Sequence, residues 1–257
     1  MDRLGLLADH AVCSAFGQAL GRDIEYHPSI ASTQDRARSI VRDALSHVGA
    51  HRAVVIVADQ QTAGHGRGEK SWLSEPGASL LASWTFKPMP AEPALFALLS
   101  GVAVARALRT FGVADLGLKW PNDVWLTGGK IAGCLAHDDG TGLVLGIGVN
   151  VSQRELPREI ADVATTLRRA GHDIDRLALL ARITTELDVI ADPAARPDAL
   201  AEWRKRSITI GREVEVSTTP TEQLRGRASG LADDGALLVE TPYGQQRVIA
   251  GEVRVLG

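Results

Sequence analysis

The sequence predicts an α+β fold: a mixed, largely antiparallel central sheet with flanking helices, followed by a small C-terminal β-barrel. Three observations carry this. Strand-like runs between residues 116 and 151 succeed one another through short turns, without the intervening helices of a doubly wound sheet. Ala- and Leu-rich segments of helical length lie on either side of that meander. From Gly211 onward nothing helical occurs, and EVEV, ALLVE, RVI and EVRV are separated by Gly, Pro and Asp. A division into residues 1–209 and 210–257 follows, and a chain of 257 residues has room for one large and one small domain.

In chain order, residues 6–20 form a short helix, and a second helix follows Ser32, where Ser32 and Asp35 have capping-box spacing. AVVIVAD (53–59) is a buried strand that opens into the loop QTAGHGRGEKSW (61–72), and SLLASWTF (79–86) is a further strand. Pro93 opens a buried helix running to Phe111. LGLKW, VWLT, KIAGCLAH and LVLGIGVNV are the meander, with a turn at 138–142. His137 with Asp138 and Asp139 reads as part of that hairpin rather than as metal ligands, and Trp120 as core. Helices at 175–191 and 197–206 complete the large domain.

Composition removes several functions. With 28 basic and 31 acidic residues the chain lacks the charge footprint of a nucleic-acid binder. Its two cysteines, Cys13 and Cys134, support neither a disulfide framework nor a thiolate metal site, so a cytoplasmic location is expected. No stretch is apolar over the length of a membrane span.

The chemistry concentrates in the 61–72 loop, where Gly64, Gly66 and Gly68 alternate with His65 and Arg67, and Lys70 follows. A buried strand opening into a glycine-rich cationic loop brings backbone N–H groups and positive charge to an anion. The loop fits neither common nucleotide signature. Glu69 takes the last glycine of G-x-G-x-x-G, and the same residue replaces the glycine before the Walker lysine. A β-carbon there resists positive φ at a cost of about 1–2 kcal/mol. Lys119 in KWPND and Lys130 in GGKIAG each stand in or beside an apolar strand. Lysine is costly there unless it meets an anion. Along a regular strand Lys130 and Cys134 would share one face about 13 Å apart, too far to act together.

These segments together resemble the biotin protein ligase family. Its loop reads Q-T-A-G-R-G-R-x-G-R-x-W, followed by a stretch here reading SEPGASLL, then K-W-P-N-D, G-x-K-[LI]-A-G and a strand here reading GIGVN (146–150). Ser32-Thr33-Gln34 matches the family's S-T-N, and order and spacing agree over residues 25–170. DDGALLVE and AGEVRV resemble phrases of its SH3-like domain.

The resemblance implies that ATP and biotin form biotinyl-5′-adenylate, which passes biotin to a lysine of a carboxylase's biotin carboxyl carrier domain. It implies that Ser32, Thr33, Gln34 and Gln61 hydrogen-bond the ureido ring, and that Gly64, His65, Gly66, Arg67, Gly133 and Gly148 line the biotin site. Lys130 would sit at the acyl–phosphate linkage, with Arg67 and Asp123 as its catalytic companions. Lys70, Trp72, Lys119, Asn122, Asn150 and Thr165 would hold ATP, and Asp123 a Mg²⁺ ion. Lipoate or octanoate are rival substrates on the same fold, and a homodimer is compatible with it. The family's bifunctional members carry an N-terminal helix-turn-helix domain; the stretch before Ser32 is too short for one, so direct DNA binding is not expected. His65, Glu69, Lys70 and Gln34 depart from the family pattern, which implies a slower ligase or an impaired, biotin-binding relative. Lys70 keeps the charge of an arginine but not its bidentate fork.

Overall fold

Seven strands form the larger sheet of this computed structural model, which describes residues 2–43, 53–68, 70–87, 89–90, 92–138, 140, 142–218 and 222–256. They are β1 (Asp23–His27), β2 (Val54–Ala58), β3 (Ser79–Phe86), β4 (Gly117–Lys119), β5 (Asp123–Leu126), β6 (Gly129–Asp138) and β7 (Leu143–Asn150). The spatial order is β1-β2-β3-β7-β6-β5-β4. Only β1 and β2 pair in parallel; the other neighbours are antiparallel, so the sheet is mixed and largely antiparallel, with β4 to β7 as the expected meander. The edge strand β1 was not anticipated. Its sequence DIEYH has no apolar run, and only its register against β2 identifies it.

The helices are α1 (His10–Ala19), α2 (Thr33–Asp43), α3 (Pro93–Arg109), α4 (Arg176–Ala191) and α5 (Arg196–Arg206). The helix expected at 6–20 is split into a 3-10 turn (Leu4–Ala8) and α1. The Asp9 carboxylate, accepting from the Ala11 and Val12 N–H groups, caps α1 and separates the two.

The two faces of the sheet differ, and that difference creates the site. α3, buried along most of its length, and α4 cover one face, where Trp84 donates its indole N–H to Thr184 Oγ1 at 3.0 Å. Leu80, Ala82, Trp84 and Phe86 point that way. The opposite face is only partly covered, by Ala37 and Val41 of α2 on Ile56 and Val144. What α2 leaves open is a cleft.

The C-terminal strands β8 (Glu213–Ser217), β9 (Gln223–Leu231), β10 (Leu237–Thr241), β11 (Gly244–Val248) and β12 (Glu252–Leu256) form a five-stranded antiparallel sheet ordered β11-β10-β9-β8-β12. Its apolar residues Val214, Val216, Leu237 and Val253 belong to the same continuous core as α3 and Trp120. Trp120, 2% exposed, joins the two parts: its indole N–H donates to Gly235 O at 3.0 Å, and its backbone N–H to Thr209 Oγ1 at 3.0 Å. Glu69, and Asp139 of the expected 138–142 turn, lie outside the described residues. Among those described, no helix is long and apolar enough to cross a membrane.

Candidate active site

Glycine spacing builds the floor. Gly146, Gly148 and Asn150 recur at period two on β7 and so face one way, and Gly133 of β6 pairs with Gly148. With no side chains on the three glycines, a cleft of about 590 Å³ opens over the strands. Trp72 lies on this floor: a Cβ on Gly148 would stand 2.6 Å from its indole ring, and one on Gly133 3.2 Å. A Cβ on Gly133 would also lie 3.1 Å from Lys130 Nζ.

One end of the cleft is closed, buried and polar. The N-terminus of α2 brings Ser32, Thr33 and Gln34 there, all buried. Thr33 donates to Gln61 Oε1 through its backbone N–H at 2.8 Å and its hydroxyl at 3.0 Å, and its hydroxyl also meets Ser83 Oγ at 2.9 Å. Gln34 reaches across to donate to Leu135 O at 2.8 Å. Ser83 is a lining residue that sequence reasoning missed, because SLLASWTF reads as one apolar run.

The glycine loop is a folded turn along the cleft. Trp72 N–H donates to Gly64 O at 2.9 Å and Gly66 N–H to Lys70 O at 2.7 Å, which draws the two limbs together. A Cβ on Gly66 would lie 2.9 Å from Lys70 O, so glycine is required by close approach. At Gly68 it is required by a φ of +65°. Towards α2, His65 Nε2 meets Asp35 Oδ2 at 2.8 Å. The reciprocal capping box expected at α2 is therefore half made. Ser32 Oγ accepts from Asp35 N–H at 3.3 Å, but the Asp35 carboxylate turns to His65 and to Arg38, 3.6 Å away. On the other side Arg67 Nη1 donates to Gly251 O at 2.6 Å, and Lys70 is ion-paired with Glu252.

The third wall comes from β4, β5 and β6. Lys119, Asp123, Trp125 and Lys130 all line the cleft. Lys130 Nζ lies 2.6 Å from Asp123 Oδ1 and 5.8 Å from the centre of the Trp72 ring, while Lys119 Nζ lies 5.0 Å from that of Trp125. Burial lowers the Lys119 ammonium below the usual lysine range, with Asp123 opposing and Lys130 reinforcing that shift. Burial likewise lowers Arg67, against Glu252 and Asp123.

The regular-strand expectation for Lys130 and Cys134 fails here. The β5–β6 register shifts between Val124 and Trp125, a bulge-like irregularity, and Lys130 and Gly133 end on the cleft side. The Cys134 thiol is buried against Ser100 of α3, and burial pushes it up to about 12, so it is inert as a nucleophile. Asn122 is engaged with the Cys134 backbone in both directions, at 2.8 and 2.9 Å. Asn150 donates to Thr165 O at 3.2 Å, while its buried Oδ1 has no protein partner.

Of the residues proposed from sequence, Ser32, Thr33, Gln34, Gln61, His65, Gly66, Arg67, Lys70, Trp72, Lys119, Asn122, Asp123, Lys130, Gly133, Gly148 and Asn150 line one cleft. Gly64 and Thr165 stand behind it and act through backbone: Gly64 on Trp72, and Thr165 on Asn150 and on Lys130 O at 2.9 Å. Sequence reasoning did not find Trp125 or the C-terminal residues 250–253, which also line the cleft. No signal in the sequence links positions 67 and 251.

The chain is similar to known proteins in sequence and in fold. The model of the Biotin/lipoate A/B protein ligase family matches residues 26–153, and that of the Biotin protein ligase C terminal domain matches 209–256. The biotin--[acetyl-CoA-carboxylase] ligase of Mycobacterium tuberculosis is 35% identical over 78% of this chain and 78% of its own length. The bifunctional ligase/repressor BirA of Bacillus subtilis is 29% identical over 93% of this chain and 75% of its own. The biotin protein ligase from Aquifex aeolicus, solved in complex with biotin and ATP, superposes with a TM-score of 0.75 at 29% identity, covering 91% of this chain and 98% of that one.

Proposed function

The chain belongs to the biotin protein ligase family, and we propose that its cleft activates biotin with ATP and passes it to a carrier lysine. The observation that carries this is the single cleft in which a closed, hydrogen-bonding end meets four cations, Arg67, Lys70, Lys119 and Lys130. A carboxylate and a triphosphate repel one another, so bringing them together requires this excess of positive charge.

In the first step a biotin carboxylate oxygen bonds to the α-phosphorus of ATP as the bond to the bridging oxygen breaks, and pyrophosphate leaves. Positioning and charge neutralisation supply most of the catalysis. Thr33, Gln61, Gln34 and Ser83 take the ureido ring in the closed end. Trp72, seated on the glycine floor, lines the path of the ring and chain, and Lys130 neutralises charge at the new acyl–phosphate linkage. Arg67 holds the adenylate. Asn150, with its unpaired buried acceptor, reads the adenine amino group, beside Trp72. In the second step a neutral lysine amine attacks the acyl carbon and AMP leaves. At pH 7 roughly one such amine in a few thousand is neutral, from a reference pKa near 10.4, so an activated electrophile is needed.

Mg²⁺ is part of the proposal as a companion of ATP. Among the described residues no group of three or more His, Cys, Asp and Glu side chains could hold a metal alone. A single carboxylate, Asp123, fits an ion whose remaining ligands are phosphates and water. When bound, such an ion would spread the phosphate charge.

The same cleft argues against lipoate and octanoate. Neither has hydrogen-bonding groups at its far end, so both would leave the buried Thr33, Gln34 and Ser83 side chains without new partners. Residues 1–209 are assigned catalysis and 210–257 closure of the cleft. Incubation with ATP, biotin and an apo biotin carboxyl carrier domain, read by intact mass, should add one biotinyl group to the carrier. An unmodified carrier would oppose the assignment.

A further inference from the structure

The glycine loop touches the C-terminal sheet through charged and polar groups. Two carboxylates line the cleft among its described residues, Asp123 and Glu252. Asp123 is engaged by Lys130. Glu252, the first residue of β12, is engaged by Lys70. Next to it, Gly251 O accepts from Arg67. The two loop cations assigned to phosphate are therefore both held by two consecutive residues of another part of the fold.

We infer that Glu252 is a positioning residue that holds Lys70 in the cleft as a phosphate would, and that ATP enters by exchanging its polyphosphate for this carboxylate. The inference rests on the ATP reading of the cleft. Three features support the exchange. Gly251 is fixed in place: a Cβ there would meet Val216 Cγ1 at 2.9 Å and Ser217 O at 3.0 Å, so the backbone before Glu252 is seated against β8. The Lys70 and Glu252 side chains are 66% and 64% exposed, so their pair is weak and can open into water. The Glu252 charge also acts on Arg67 and Lys119, so a carboxylate left in place would oppose polyphosphate at three cations rather than one. Before ATP arrives the carboxylate keeps Lys70 beside the cleft. Once a polyphosphate is present it is a like charge, and it leaves.

The test is Glu252→Gln, with Glu252→Asp as the conservative rescue and Lys70→Gln as the partner variant. Hydrogen exchange is followed by mass spectrometry in the ligand-free protein over residues 62–68 and 70–72. Calorimetric affinities are measured for ATP, inorganic pyrophosphate and biotin. Glu252→Gln should speed exchange in the loop, tighten ATP and pyrophosphate by about two- to fivefold, and leave biotin unchanged. Glu252→Asp should return both readouts towards the parent, and Lys70→Gln should speed exchange while weakening ATP. Unchanged exchange in Glu252→Gln, or weaker ATP binding, overturns the inference. If the parent protein binds neither ATP nor pyrophosphate, the ATP reading and the exchange role fall together. Exchange in the ligand-free loop then still shows whether Glu252 holds it. Should Glu252→Gln fail to fold, Lys70→Gln and Glu252→Asp carry the same decision.

Discussion

Gly148 and Trp72 set the depth of the cleft at the scale of single residues. A methyl group at position 148 would reach within 2.6 Å of the indole, so the ring must lift from the floor. Gly148→Ala should keep the fold, shift Trp72 fluorescence and weaken biotin at least tenfold; titration of biotin by fluorescence checks it. Lys130→Gln removes the cation paired with Asp123 and should lower kcat by about 10²–10³-fold, the cost of losing a preorganised charge-stabilising donor. Arg67→Ala should speed loss of the adenylate more than it weakens free biotin, measured by dissociation of labelled biotinyl-adenylate. If free-biotin affinity falls most, Arg67 has been given the wrong role. The cations and glycines of these predictions were legible in the sequence, because a lysine in an apolar strand and a period-two glycine run each have few physical uses. Ser83 was hidden inside an apolar strand. Glu252 was hidden because its contact spans most of the chain.

Elements were legible where composition matched the local environment. α3 and the meander announced themselves, since a buried helix and half-buried strands have distinct periods. β1 did not: its strand character comes from pairing with β2, not from an apolar face. The register shift between β5 and β6 also had no signal, although it decides which way Cys134 points. Helix α5 is tied to α3 by Glu202, which accepts from Arg106 and Arg206, each at 2.8 Å. Burial pushes its carboxyl up, but the Arg206 and Arg106 bonds together hold it below the usual range. A depressed folded value means that the stabilisation is present above the ordinary glutamate range. It is lost as pH falls through the folded value. Glu202→Gln should therefore cost about 1–2 kcal/mol at neutral pH, and the gap from the parent should close as pH drops below the ordinary range. Urea unfolding across that interval checks it; a gap independent of pH contradicts it.

For the whole molecule, the sequence divided the chain at 209/210, yet the two parts share one apolar core through Trp120, α3 and the C-terminal strands. Unfolding should follow a single cooperative calorimetric transition, and two separated transitions would contradict that shared core. Trp120→Phe, which leaves Gly235 O without its donor, should lower stability by about 1–3 kcal/mol. The same union places Gly251 and Glu252 over the glycine loop, so one continuous body brings a closed polar end, a glycine floor and four cations together. That this body is an adenylate-forming site for biotin is tested most directly by pyrophosphate release from ATP, with biotin, lipoate and octanoate supplied in parallel. Release should depend on biotin and be absent with the other two acids. Release with lipoate or octanoate alone, or binding of biotin without any release, would contradict it.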